Sequence, residues 1–382
     1  MHKIVIAVDS FKGSLSSREV AAAVAEGVGC VCPECQMVQV SLADGGEGTC
    51  QALVETLGGE MVEVEVHDPL MRPIKASYGV VDRGATAVIE MATASGLPLV
   101  RPEERDALRA TTYGTGELIA AALERGCRRF LIGIGGSATT DGGVGMLAAL
   151  GYRFYDAQGQ EIAPYGGIVL EQIVKIDGSQ AHPALRESKF VVACDVTNPL
   201  SGATGAAYVF APQKGASVEM VEQLDRGLVA YGRLLEQYSG YAVAEQPGAG
   251  AAGGMGAGLC GVLGAEMHRG VDMVLDAVSF DSLIEGADLV ITGEGRIDRQ
   301  TLMGKAPQGV LLRARRQGIP VVAIGGGVLW CEELASAESF DAIFPIVAGP
   351  ITLEEAMCAE VARQNVCRTA MQIARMMSIK KQ

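Results

Sequence analysis

Histidine is almost missing from this chain. Its 382 residues hold four, His2, His67, His182 and His268, and none lies beside a polar glycine loop in sequence. A Ser-His-Asp hydrolase or a His-ligated metal centre therefore finds little support. Basic charge is short as well: 31 Lys and Arg face 45 Asp and Glu, a net charge of −14. Bulk nucleic-acid binding needs a basic face that displaces phosphate counterions, so no nucleic-acid partner is expected. A small anion remains possible, because a few Lys, Arg and backbone N–H groups can hold one inside an acidic protein. No run approaches the roughly 20 apolar residues that span a bilayer. The apolar start Lys3–Val8 is stopped by Asp9, too early for a signal-peptide core. The ten cysteines do not look like a disulfide framework, and a reducing cytoplasm is the expected setting. Cys30, Cys32 and Cys35 offer only three close thiols with no His at finger spacing, and read as a Cys-rich turn at a helix end.

What is abundant is glycine. There are 50, about twice the usual share of roughly 7%, and they cluster. The chain is long enough for two domains. Strand Lys3–Val8, a helix capped at Ser16 or Ser17, and strand Met37–Leu42 give β-loop-α units at the start. Ala287–Thr292, helix Gln308–Gln317, strand Val321–Ile324, strand Ala342–Val347 and one long helix Leu353–Met377 repeat that pattern at the end. Continuous apolar strands of this kind are buried on both faces of a parallel sheet. The middle alternates more, at Met61–His67, Ile74–Val81 and Thr86–Met91. The fold expected is α/β, with a Rossmann-like doubly wound domain (1–61 plus 284–382) interrupted by an inserted α/β domain (62–283).

Five glycine-bearing polar loops stand out. The first, Asp9-Ser10-Phe11-Lys12-Gly13-Ser14, sits at a strand's C-terminal end, where α/β sheets bind ligands. In the second, Asp44 and Glu47 flank glycines and could hold Mg²⁺, which favours one or two carboxylates, or could bind sugar-like hydroxyls. The third, Gly135-Gly136-Ser137 through Gly145, offers backbone N–H groups and hydroxyls before a helix, a phosphate cradle in character. It is not a P-loop, since G-x-x-x-x-G-K-[ST] is absent. The fourth, Gly248 to Gly256, contains G-x-G-x-x-G, but Pro247 and the lack of a strand-to-acid pattern weaken it as a dinucleotide fingerprint. As a second phosphate-facing loop through Gly253 and Gly254 it is plausible. The fifth runs Gly293-Glu294-Gly295-Arg296-Ile297-Asp298 and on to Lys305. Asp195, closing an apolar strand, is expected to be desolvated enough to act as a general base.

Taken together, D-S-F-K-G-S-L-S (9–16), A-D-G-G-E-G-T (43–49), T-T-Y-G-T-G-E-L-I (111–119), I-G-G-S-A-T-T-D-G-G-V-G-M (134–146), A-C-D-V-T-N-P-L (193–200), G-A-G-A-A-G-G-M-G (248–256) and L-V-I-T-G-E-G-R-I-D (289–298) resemble the bacterial glycerate kinase family, type 1. The resemblance implies phosphorylation of D-glycerate by ATP with Mg²⁺, mostly to 2-phosphoglycerate. On that basis Asp195, Lys12 and Arg296 are the expected catalytic residues. Asp9, Ser10, Asp44, Glu47, Glu294 and Asp298 are expected on the substrate or its metal. Gly135, Gly136, Ser137, Gly253 and Gly254 are expected on the ATP phosphates. The alternatives are a 3-phosphoglycerate-forming kinase and, from the 248–253 fingerprint, a nicotinamide-dependent hydroxy-acid oxidoreductase. Monomer and homodimer are both compatible with the sequence.

Overall fold

The computed structural model describes residues 2–43, 45, 46 and 48–379. The chain packs as two compact units. One comprises Met1–Asp44, Glu55–Leu57 and Val274–Gln382; the other comprises Gly45–Val54 and Gly58–Met273. Both are α/β with parallel strands, the class expected.

The first unit is built on a five-stranded parallel sheet. Its order is Ala342–Pro345, Val321–Val328, Leu289–Ile297, Lys3–Val8 and Gln36–Ser41. Ile4 to Val8 are fully buried, as a strand covered on both faces requires. Helix Ser17–Gly29 starts at Ser16, whose hydroxyl accepts from the Glu19 N–H while the Glu19 carboxylate accepts from the Ser16 N–H. Such reciprocal caps satisfy two otherwise unpaired donors. The apolar face of this helix, with Val20, Val24 and Val28, shares a core with Val366, Ala370 and Ile373 of helix Ala359–Ile379. At Gly27 the two backbones nearly touch: a β-carbon there would collide with the Cys367 carbonyl oxygen.

Two expectations change in this unit. The long terminal helix is broken at Cys358, whose extended backbone (ψ 124°) separates Leu353–Met357 from Ala359–Ile379. No Gly or Pro marks the break. The stretch Gly293–Ile297, read as a loop for its glycines, is strand, and the strand expected at Val321–Ile324 runs on through Gly325–Gly327 to Val328. Glu294 pairs with Gly325 and Arg296 with Gly327. Glycine makes this possible because the backbones approach closely; a β-carbon on Gly326 would stand 2.5 Å from the Gly295 carbonyl oxygen.

The second unit has a six-stranded mixed sheet in the order Glu266–His268, Lys189–Ala193, Arg129–Gly133, Thr86–Glu90, Pro73–Val81 and Glu60–His67. The first four are mutually parallel and the last two antiparallel. Alternation in the middle of the sequence follows from that: an antiparallel edge can leave one face in water. A small three-stranded sheet (Arg153–Tyr155, Glu161–Ile162, Lys175–Asp177) carried no sequence signal. Parallel register brings Glu90, Gly133, Ala193 and His268 into one row at the C-terminal edge of the sheet.

Gly27→Ala forces two buried helices apart in a packed core, and overpacking of this kind costs about 1–3 kcal/mol. Urea denaturation should show that loss of stability.

Candidate active-site loops

In the first unit, the turn after strand Lys3–Val8 and the extended strand pair Leu289–Ile297/Val321–Val328 surround a cavity of about 430 Å³. Asp9, Ser10, Lys12, Glu294 and Arg296, all expected from sequence, line it together, joined by Ser14 and Lys305. The floor is apolar, with Phe11, Ile346 and Met357. Glu294 is buried, and its carboxylate accepts from the Thr301 hydroxyl (2.6 Å) and pairs with Lys305 Nζ (3.1 Å). Its charge is thus compensated, while Arg296 Nε is held by Asp298 (2.9 Å). Asp298 itself caps the next turn through the Gln300 N–H. Ser14 Oγ is buried without a hydrogen-bond partner. Three cationic side chains and an orphaned hydroxyl around a cavity suit a small carboxylic acid or a phosphoryl group.

In the second unit the glycine loops gather at the C-terminal edge of the sheet. Strand Arg129–Gly133 leads into Gly135–Ser137, with Gly136 in the left-handed region (φ +73°). Asp141 is fully buried. It accepts from Thr112 N–H (2.8 Å), Thr112 Oγ1 (2.9 Å), Thr111 Oγ1 (3.3 Å), Gly143 N–H (3.1 Å) and Gly145 N–H (3.3 Å). Burial raises its pKa, opposed by the Thr112 and glycine donors. The 247–256 stretch joins the same structure: Gly142 N–H donates to the Gly253 carbonyl (3.0 Å). Ala252, Gly253 and Gly254 all have positive φ at the start of helix Ala251–Leu263. A helix, Val218–Ser239, and a turn precede it, so the strand that a dinucleotide fingerprint needs is missing there. The side-chain oxygens of Thr139, Thr140 and Tyr231 are buried here with no partner.

Asp195 follows strand Lys189–Ala193 and departs from expectation. It is exposed, not desolvated, because the chain leaves the sheet as soon as the strand ends. Its Oδ1 accepts from the Gly270 N–H (2.9 Å) at the start of helix Gly270–Ala277. Gly45 packs against the same edge: a β-carbon on it would lie 2.5 Å from Gly270 Cα and 2.9 Å from Ala193 Cβ. Asp44 and Glu47, the expected metal or hydroxyl ligands, lie outside the described residues.

Sequence reading missed Lys214; Ser14 and Thr301, like Lys305, lay within the singled-out loops but were given no role. Lys214, in Pro212-Gln213-Lys214-Gly215, follows a short helix in a stretch with no glycine loop or strand to draw attention.

A parallel α/β protein with a cation-lined cavity in one unit and glycine turns gathered at the C-terminal edge of the sheet in the other fits the class of phosphotransferases. Comparison with known proteins narrows that class. The model of the glycerate kinase family matches residues 4–378. Glycerate kinase of Bacillus cereus is 49% identical over 97% of both chains, and glycerate 2-kinase of Escherichia coli is 46% identical over 99% of this chain and 98% of its own. A putative glycerate kinase 2 from Salmonella typhimurium superposes with a TM-score of 0.90 at 47% identity, covering 100% of this chain and 99% of that one. The chain belongs to the glycerate kinase family.

Gly253→Ala places a side chain in left-handed backbone and drives it into the Thr139 carbonyl. The strain and the overpacking together should cost about 2–4 kcal/mol, read as a lowered urea midpoint.

Proposed function

We propose that this enzyme transfers the γ-phosphoryl group of ATP to the C2 hydroxyl of D-glycerate, giving 2-phosphoglycerate and ADP. The observation that carries the reading is the cavity where Lys12, Arg296 and Lys305 meet Asp9, Ser10 and Glu294: cations for a carboxylate, acceptors for hydroxyls. The name of the Escherichia coli relative, glycerate 2-kinase, supports C2 over C3. Lys12 and Arg296 hold the glycerate carboxylate or the transferring phosphoryl group. Asp9, Ser10, Glu294 and Asp298 orient hydroxyls and the cations beside them. The N–H groups of Gly135, Gly136 and Ser137 receive the ATP phosphates. Gly253 and Gly254, expected beside them, are buried, and the Gly254 N–H already donates to the Gly250 carbonyl (3.3 Å), so they serve by backing the loop instead.

Asp195 takes the proton of the attacking hydroxyl as the new O–P bond forms and the β–γ bridge breaks, releasing ADP. An exposed carboxylate suffices for this, because phosphoryl transfer is dominated by positioning and charge neutralisation. Mg²⁺ neutralises phosphate charge when bound. Hard oxygen donors suit it: Asp44 and Glu47 are the candidates to hold it, and the Glu90 carboxylate is present at the sheet edge. Among the described residues no cluster of three His, Cys, Asp or Glu is found. Among the described residues no helix is long and apolar enough to cross a membrane. All ten cysteines are free, which supports a reducing cytoplasm as the setting.

An ADP-release assay with D-glycerate, followed by phosphorus NMR of the product, tests the reaction. A 2-phosphoglycerate signal is expected; 3-phosphoglycerate would move the transfer to C3, and no ADP release would refute the kinase reading. Asp195→Asn keeps an acceptor for the Gly270 N–H but loses basicity. It should lower kcat by at least about a hundredfold, and near-native turnover would remove the base assignment. Lys12→Met should raise the KM for glycerate by about tenfold or more, the equivalent of one charge-assisted contact, in a steady-state titration of glycerate.

A further inference from the structure

Lys214 is 2% exposed and ends the one-turn helix Pro212–Lys214. Gly215 follows in left-handed backbone (φ +92°), which lets the turn close tightly behind the loop. The lysine's Nζ donates to the Ser137 hydroxyl oxygen (2.8 Å) and to the Thr139 carbonyl oxygen (2.5 Å). It therefore grips, from the protein side, the same loop whose N–H groups are assigned to phosphate. A buried amine is costly unless it is hydrogen-bonded or paired, and here both hydrogen-bond acceptors belong to that loop.

We propose that Lys214 is a positioning residue for the nucleotide, shaping the Gly135–Thr139 loop through Ser137 and Thr139 and taking up a proton when a polyphosphate settles on that loop. The inference rests on the reading of this loop as a phosphate cradle. The titratable and charged groups around Lys214 are few. Asp141 lies close enough to favour its charged form, Tyr231 stands beside Asp141 with its own pKa raised by burial, and Arg105 packs against the turn at Gln213 and Gly215. Burial lowers the Lys214 pKa to about 7, opposed by Asp141, so the amine is divided between two states at neutral pH. Added phosphate charge favours the ammonium form. The protonated protein accordingly binds nucleotide more tightly, and affinity falls as pH rises through 7, until the bound form also loses its proton.

Calorimetric titration of the full chain with ADP and Mg²⁺ at pH 8, in buffers of different ionisation enthalpy, counts the protons exchanged. Uptake approaching one proton is expected in the native protein, with affinity falling by up to about tenfold per pH unit above 7. Lys214→Met should abolish the uptake and flatten the pH profile. ADP binding without proton uptake, or uptake that persists in Lys214→Met, would overturn the role of Lys214 and leave the phosphate cradle standing. Absence of any ADP binding overturns the cradle and this inference with it. Should Lys214→Met fail to fold, the proton count of the native protein still decides.

Discussion

The second unit is organised around a carboxylate that water does not reach. Asp141 is fully buried, and a buried carboxylate is tolerated only where donors replace its hydration. Five do so, from Thr111, Thr112, Gly143 and Gly145. The consequence is geometric: the start of helix Tyr113–Glu124 and the start of helix Val144–Ala149 are tied to one point. The Thr112 hydroxyl also accepts from the Met146 N–H (2.9 Å), which locks the second helix in turn. A loop otherwise made of Gly, Ser and Thr would be expensive to order; this anchor orders it before any ligand arrives, the sense in which a site is preorganised.

Glycine serves two different ends in this chain, and sequence alone ran them together. At Gly136, Gly142, Gly143, Gly253 and Gly254 it supplies left-handed backbone, and the Gly142 N–H ties the two stretches together at the Gly253 carbonyl (3.0 Å). At Gly293, Gly295 and Gly325 to Gly327 φ is not positive; glycine there lets adjacent strands run beyond their apolar segment with no side chain between them. Counting glycines reads the second case as a turn. The outcome for the site is the same, since Glu294 and Arg296 still face the cavity, now from rigid strands that hold them more firmly than a loop would.

The parallel sheets were legible because their strands are continuous apolar runs; the helix cap was legible as Ser16 or Ser17, and the reciprocal bonds with Glu19 make it Ser16. The cavity residues were legible because charge after an apolar strand is uncommon. Lys214 was not, since its importance comes from burial against Ser137 and Thr139, 77 and 75 residues away in sequence. Nor was the exposure of Asp195: an apolar strand before a carboxylate says where it emerges, not how much water it meets. The break at Cys358 had no local signal, because tertiary packing decides it.

Backbone hydrogen exchange, with and without ADP and Mg²⁺, tests the central claim most directly. The account predicts slowed exchange at the amides of 135–137 when nucleotide binds. Slowing confined to other segments, with those amides unchanged, would contradict it.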